Sequence, residues 1–257
     1  MLPWFQYTTI HVGSIPIQVW GFFVAMGMML SIIILQREAK KQSMNAEPLL
    51  DLALKMIIYG VIFSRLFHIF FYEPAYFVSN PFEIFAIWHG GLSSFGGLFG
   101  AFITFVIAVK KGKIKRDELP MYGNMLSFAA LFGWIIGRVG CVMIHDHLGK
   151  ESNSFLAFNS PEGLRLDMAF IEIVFLLPLA TVFLVFKKKK MYYLFTPLLF
   201  VYYGALRFVL DFWRADLSFA TGDTRFLGLT PGQYFAIVLV VFGAYLIRKK
   251  INFTSNN

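Results

Sequence analysis

Apolar residues fall into seven runs along this chain, and charged residues collect between them. The first run, Ile15 to Leu35, carries no charge and closes at Gln36-Arg37-Glu38. The second, Leu50 to Phe71, is less clean, because Asp51 and Lys55 begin it and Arg65 and His68 sit inside. The others are Gly90 to Val109, Leu119 to Met143, Met168 to Phe186, Met191 to Leu210 and Gly232 to Ile247. A helix crossing a bilayer needs roughly 17 to 25 mostly apolar residues. The pattern predicts an all-α, polytopic integral membrane protein: one membrane-embedded domain, residues 1–257, with seven transmembrane helices.

The basic residues orient those helices. Fifteen of the 23 Lys and Arg fall in four clusters: Arg37 with Lys40 and Lys41, Lys110 to Arg116, Lys187 to Lys190, and Arg248 to Lys250. They follow runs one, three, five and seven, as cytoplasmic loop anchors do. The N-terminus is therefore expected outside and the C-terminus in the cytoplasm. Composition agrees, with 58% hydrophobic and 15% charged residues against about 25% charged in a soluble domain. Clustering also explains the net charge of +8 without nucleic acid as a partner. Cys141 is the single cysteine, so no intrachain disulfide exists. The first residues lack a basic region and a small-residue cleavage site, so no cleaved signal peptide is expected.

The connecting segments carry weaker signals. Phe82 to Trp88 reads as a short amphipathic piece lying flat on the outer surface. Lys150 to Asp167 reads as a polar external loop. Thr230-Pro231 reads as a helix start, a cap followed by proline. In the stretch opening the third run, Gly90-Gly91 and Gly96-Gly97 permit either tight helix packing or a thin helix beside a headgroup pocket.

Candidate chemistry gathers at the outer ends of the runs, where His89, His145, Asp146, Glu172, Arg207 and Asp211 all fall. Arg138 lies inside the fourth run, where a guanidinium needs a partner, a wet cavity or an interface. It either pairs with Glu172 or offers its planar donor fork to a lipid phosphate. Arg207 and Asp211 have the spacing of an i,i+4 ion pair. Arg214 follows, fit for internal pairing or for substrate. His145-Asp146-His147 is a candidate general base, with a loop metal site at His145 and His147 as the other reading. Cys141 is a packing residue or a nucleophile beside His145, and His89 an interfacial residue or a proton-transfer group. Arg65 and His68 either snorkel to the interface or line a polar cavity.

Taken together, Trp88-His89-Gly90-Gly91-Leu92-Ser93 with Gly96-Gly97, Gly137-Arg138-Val139-Gly140 with Gly149, Tyr203-Gly204-Ala205-Leu206-Arg207-Phe208 with Asp211 and Arg214, and Leu229-Thr230 with Gly232-Gln233 resemble the prolipoprotein diacylglyceryl transferase family over nearly the full length. The resemblance implies a transferase of the bacterial cytoplasmic (inner) membrane. It would move a diacylglyceryl group from phosphatidylglycerol to the lipobox cysteine of an exported preprolipoprotein and release glycerol phosphate. Arg138 would then hold the lipid phosphate and Arg207 the phosphoglycerol or reaction centre. Glu172 and Asp211 fall at acidic positions, and Gly149, Tyr203 and Gly204 shape the site. This chemistry requires no metal or organic cofactor, and the acceptor's own cysteine is the nucleophile. The chain departs from the family pattern at Trp20, Phe95, Cys141, Asp146 and Asp211, and before Glu172. His89 or the His145-Asp146-His147 cluster is accordingly the expected base. The alternative is a non-catalytic lipid-binding or lipid-transport protein on the same scaffold.

Overall fold

The computed structural model describes every residue except Ser14, Trp88, His89, Arg116, 216–224 and 256–257, and leaves aside the side chains of Val12, Ile15, Ser94, Phe95 and 250–255. The chain gathers into two compact units, Ser31–Tyr122 in one and Met1–Leu30 with Gly123–Asn257 in the other. Helix α1 (Val19–Lys41) runs from the second of these into the first.

The Ser31–Tyr122 unit is built on α2 (Ala46–Phe71) and α4 (Ser94–Lys110). Asn45 starts α2, its Oδ1 accepting from the Glu47 amide at 3.1 Å. Small residues let α2 and α4 approach closely. A Cβ on Gly100 would lie 2.6 Å from the Tyr59 carbonyl oxygen, and one on Gly96 would strike the Phe63 carbonyl. Gly90 and Gly91 take positive φ, 89° and 69°. The predicted third run therefore begins as loop, and its helix waits for the Ser93 cap.

Between α2 and α4 lie α3 (Pro74–Ser79) and a 3₁₀ turn (Pro81–Phe85). Arg65 organises this connection from inside. Its guanidinium is buried and donates to the carbonyls of Glu83, Ile84, Ala86, Gly90 and Gly91. It neither snorkels nor lines an open cavity, because backbone carbonyls that would lack partners in a helix-poor loop use all of its donors.

The larger unit opens with a hairpin of β1 (Thr9–Val12) and β2 (Ile15–Gln18), in register Thr9 opposite Gln18 and Ile10 opposite Ile17. The first apolar run thus begins as strand and turns helical at Val19. Then come α5 (Leu119–Ile144), β3 (Leu148–Glu151), β4 (Phe158–Ser160), β5 (Gly163–Asp167), α6 (Met168–Lys188), α7 (Phe195–Leu210) and α8 (Pro231–Ser255). Among the described residues, five helical stretches are long and apolar enough to cross a membrane: Val19–Lys41, Leu119–Ile144, Met168–Lys188, Tyr192–Trp213 and Pro231–Lys249.

The all-α prediction needs a second local correction besides that hairpin. Residues 150–167 are not plain loop but most of a three-stranded antiparallel sheet, ordered β3-β5-β4. A tight turn at Pro161-Glu162 joins β4 to β5, with Gly163 at φ 105° and the Ser160 hydroxyl donating to the Gly163 carbonyl at 2.7 Å. The N-terminal segment is tied to this sheet. Leu2 gives its amide to Ala157 and takes one from Asn159, while the Tyr7 amide reaches the Met143 carbonyl.

Candidate active site

Three helices of the larger unit, and the turn that follows the last of them, bring a buried polar cluster together. Arg138 comes from α5, Glu172 from α6, Arg207 from α7 and Asp211 from the turn after it. Glu172 and Asp211 are almost fully buried, so each carboxylate needs a cation. Arg138 grips Glu172 with both tines, Nε to Oε1 at 3.0 Å and Nη2 to Oε2 at 2.9 Å. Trp134, one turn earlier on α5, donates its indole N–H to the same Oε1 at 2.7 Å. Its ring also lies under the guanidinium, 5.1 Å from the Arg138 carbon, a cation–π contact. Arg207 spans the two carboxylates, 3.7 Å from Glu172 and 3.1 Å from Asp211.

The start of α8 completes the cluster. Thr230 and Gln233 cap the helix reciprocally: the Thr230 hydroxyl takes the Gln233 amide at 3.1 Å, and Gln233 Oε1 takes the Thr230 amide at 2.9 Å. The Thr230 hydroxyl then donates to Asp211 Oδ2, so the cap is also a carboxylate ligand. Gly232 is required beside it, since a Cβ there would stand 2.5 Å from that carboxylate oxygen and 3.3 Å from Arg207 Nε. Gly204 lets α7 meet α8, a Cβ there lying 2.8 Å from the Ala236 carbonyl. Tyr203 meets Trp134 edge to face at 5.9 Å.

The side chains of the His145-Asp146-His147 stretch do not gather as one group. His145 has φ 50°, which swings its side chain away from its neighbours. Its imidazole is buried, with Nδ1 2.6 Å from Asp167 Oδ2, stacked on Trp4 at 4.1 Å between centroids and packed against Phe5 and Phe158. Asp167 Oδ1 caps α6 at the Phe170 amide, 2.8 Å away. His145 thus joins the N-terminal segment, the sheet and α6. Neither Asp146 nor Cys141 is its partner.

Asp146 and His147 turn the other way, His147 Nε2 lying 3.7 Å from Asp146 Oδ2. Burial pushes the Asp146 carboxyl up to about 6, with Arg138 pulling against it. Burial also holds the His147 imidazole well below its ordinary value, and the fields of Arg138, Arg214 and Arg207 push the same way. Cys141 faces this group, its sulfur 3.9 Å from Arg138 Nη1, the tine that Glu172 leaves unused. Gly149 pairs with the backbone of buried Arg214, and a Cβ on Gly149 would lie 2.6 Å from the Trp213 carbonyl. The Arg165 guanidinium donates to the Gly149 carbonyl at 3.1 Å.

The structure therefore brings together Arg138, Glu172, Arg207 and Asp211, with Tyr203 against Trp134, Gly204 at the contact of α7 with α8 and Gly149 paired with Arg214. His89 lies outside the described residues, and the Phe95 side chain is likewise not described. Sequence reasoning missed Trp134 and Asp167 as polar partners. Trp134 stood one turn before Arg138, a usable signal. Asp167 stood just before an apolar run, as an N-cap does.

Comparison with known proteins fits this layout. A family model described as prolipoprotein diacylglyceryl transferase matches residues 7–248. The phosphatidylglycerol–prolipoprotein diacylglyceryl transferase of Staphylococcus saprophyticus is 29% identical over 249 residues, 92% of this chain and 86% of the relative. The enzyme of the same name from Staphylococcus haemolyticus is 29% identical over 260 residues, 96% and 89% of the two chains. One from Staphylococcus aureus reaches 31% over 167 residues, 65% and 57%.

Proposed function

The chain belongs to the prolipoprotein diacylglyceryl transferase family, and on that premise we propose that it transfers a diacylglyceryl group from phosphatidylglycerol to the lipobox cysteine of an exported preprolipoprotein. The reaction takes place at the outer side of a bacterial cytoplasmic membrane, and glycerol phosphate leaves. The observation that carries this reading is the pair Arg138 and Arg207 held by Glu172 and Asp211 inside a helical bundle of membrane-spanning length.

The two arginines and two carboxylates sum to no net charge. The cluster therefore stays in place before substrate arrives, and a phosphodiester adds a single negative charge. Each guanidinium has five N–H donors, of which the carboxylates use only part. The remainder bind the phosphate and stabilise the charge that grows on it as the carbon–oxygen bond breaks. Preformed pairing keeps the donors oriented, so little reorganisation accompanies the step. The acceptor attacks as thiolate, and Asp146 with His147 forms the edge of the site where its proton is lost. His145 serves as a positioning residue, through Asp167 and the N-terminal segment.

The seven-span topology belongs to the same reading. To the five clear spans it adds α2, with 26 residues, and α4, with 17, or about 39 and 25 Å of helix at 1.5 Å per residue. The basic clusters then fall on the cytoplasmic side and the N-terminus outside.

The test is glycerol phosphate release from phosphatidylglycerol vesicles containing the purified protein. Release that depends on a lipobox peptide with cysteine, fails with serine in its place, and is lost in Arg138→Ala supports the proposal. Lipid binding without release under any peptide would favour the non-catalytic alternative.

A further inference from the structure

The segment leading into α8 carries an apolar tip that the polar cluster does not use. Phe226 to Leu229 form a tight reversal, in which the Phe226 amide donates to the Leu229 carbonyl at 2.8 Å and the Leu229 amide to the Phe226 carbonyl at 3.0 Å. Both central residues have positive φ, 49° at Leu227 and 82° at Gly228, as a two-residue hairpin turn of type I′ requires. Asn, Asp and Gly suit those positions, whereas a leucine side chain crowds its own backbone there. Leu227 is nonetheless 98% exposed and Phe226 62%. Neither the backbone conformation nor contact with water favours leucine at this tip, and a residue held where it is disfavoured points to a use.

The turn is fixed in place. Arg225 Nη2 donates to the Asp211 carbonyl at 3.2 Å, and the Tyr234 hydroxyl donates to the Phe226 carbonyl at 2.8 Å. Thr230, the next residue along, donates to the Asp211 carboxylate. The tip is thus tied to the edge of the cluster where Asp211 holds Arg207. Tyr234 also gives the turn a direction. It is the first member of an exposed apolar stripe on α8, continued by Val238, Val241 and Tyr245, whose spacing of four, three and four keeps one helix face. On a helix of membrane-spanning length that stripe faces lipid. Phe212 and Trp213, just past α7, are partly exposed at the same end, where membrane proteins carry interfacial aromatics. The turn therefore stands on the end of a lipid-facing surface.

We infer that the 226–229 turn seats Leu227 and Phe226 in the outer leaflet of the membrane, as a rigid apolar wedge beside the cluster. The inference rests on the transferase reading for the substrate it serves. Three residues along the chain from Leu227 to Thr230 reach at most about 10 Å. The headgroup layer is roughly 5 to 8 Å thick on each side of the hydrocarbon. With the tip at the edge of the acyl chains, Thr230, Asp211 and Arg207 stand at the level of the lipid phosphates. The wedge sets the depth at which the cluster meets its lipid.

The experiment uses the full chain reconstituted in vesicles of phosphatidylglycerol and phosphatidylcholine. Leu227→Cys carries a nitrobenzoxadiazole label, and wild type treated in the same way is the blank, because its one cysteine is buried. The expected result, without peptide, is blue-shifted emission quenched more by a nitroxide near the headgroup end of the lipid chain than by aqueous iodide. Quenching by iodide and not by the nitroxide would overturn the wedge. Protection that appears only on adding a lipobox peptide would overturn it too, and assign the tip to the acceptor. Leu227→Asn suits the turn and removes the apolar tip. Its melting temperature should match or exceed the parent's, while transfer from vesicle phosphatidylglycerol should fall about tenfold, the scale on which burial of one leucine acts. Short-chain phosphatidylglycerol, supplied from water to the protein in detergent micelles, should be transferred at the parent's rate. Unchanged transfer from vesicles, or an equal loss with both lipids, would overturn the wedge and leave the transferase reading standing. Nitroxide quenching in a parent that transfers no lipid would keep the wedge and sink the transferase reading.

Discussion

Glu172→Gln removes one charge and nearly no volume, which isolates the electrostatics of the cluster. In the native protein this carboxylate receives the Arg138 fork at 3.0 and 2.9 Å, Trp134 at 2.7 Å and Arg207 at 3.7 Å, with almost no exposure to solvent. At about 3 Å and an effective dielectric near 20, one ion pair amounts to roughly 5 kcal/mol. Removing one partner of such a buried pair costs about 3–5 kcal/mol, because the other charge is left without compensation. Spread over a chain of this size, at roughly 2–4 °C per kcal/mol, that is a fall of about 10 °C in the melting temperature. Differential scanning fluorimetry of the detergent-solubilised protein reads it directly. The double variant Arg138→Met with Glu172→Gln should lose much less than the sum of the single variants, since no orphaned charge remains. A melting temperature unchanged in either single variant, or strictly additive losses, would refute the pairing.

Other substitutions probe the remaining contacts. Asp167→Ala should loosen the N-terminal segment and lower thermal stability by about 1–3 kcal/mol, the loss of a cap and of a buried hydrogen-bond acceptor, read as faster proteolysis before residue 19. His145→Ala should cost stability more than turnover, whereas His147→Ala should cost turnover at near-native yield, both read by yield and lipid transfer side by side. Arg65→Lys should free the connection around residues 81–91, because an ammonium cannot serve five carbonyls, and limited proteolysis there should speed up. Gly232→Ala should drive a methyl into Asp211 and Arg207 and reduce lipid transfer at least tenfold, with Gly228→Ala as the control for general loop strain.

The parts of the site that stood out in the sequence were the ones that break an apolar run. Arg138, Glu172, Arg207 and Asp211 are costly inside a membrane helix, and the i,i+4 spacing of Arg207 and Asp211 placed them on one face. Asp167 hid for the opposite reason. It sits 22 residues from His145, while Asp146 is adjacent, and only the backbone turn at His145 decides between them. The sheet over residues 148–167 was hidden because its strands are three to five residues long and mostly polar. Their stability comes from pairing with each other and from the N-terminal segment, not from a periodic apolar face. Gly90 and Gly91 read either as helix-packing glycines or as part of a thin helix beside a pocket; they adopt positive φ outside the helix, with Arg65 donating to both of their carbonyls.

The sequence also understated Cys141. A lone cysteine in an apolar helix is ordinarily a packing residue, and Cys141 does pack against the cluster of Val142 and Ala169. Its sulfur nonetheless faces Arg138 and the Asp146–His147 pair. The same turn of α5 therefore serves the core on one side and the polar cluster on the other.

The central claim is lipid transfer to a cysteine thiol, and the mass of the acceptor tests it most directly. The purified protein, phosphatidylglycerol of one acyl composition and a lipobox peptide should yield peptide heavier by one diacylglyceryl group, with fragmentation placing it on the cysteine. Unmodified peptide, under conditions where the Staphylococcus saprophyticus relative converts it, would contradict the account.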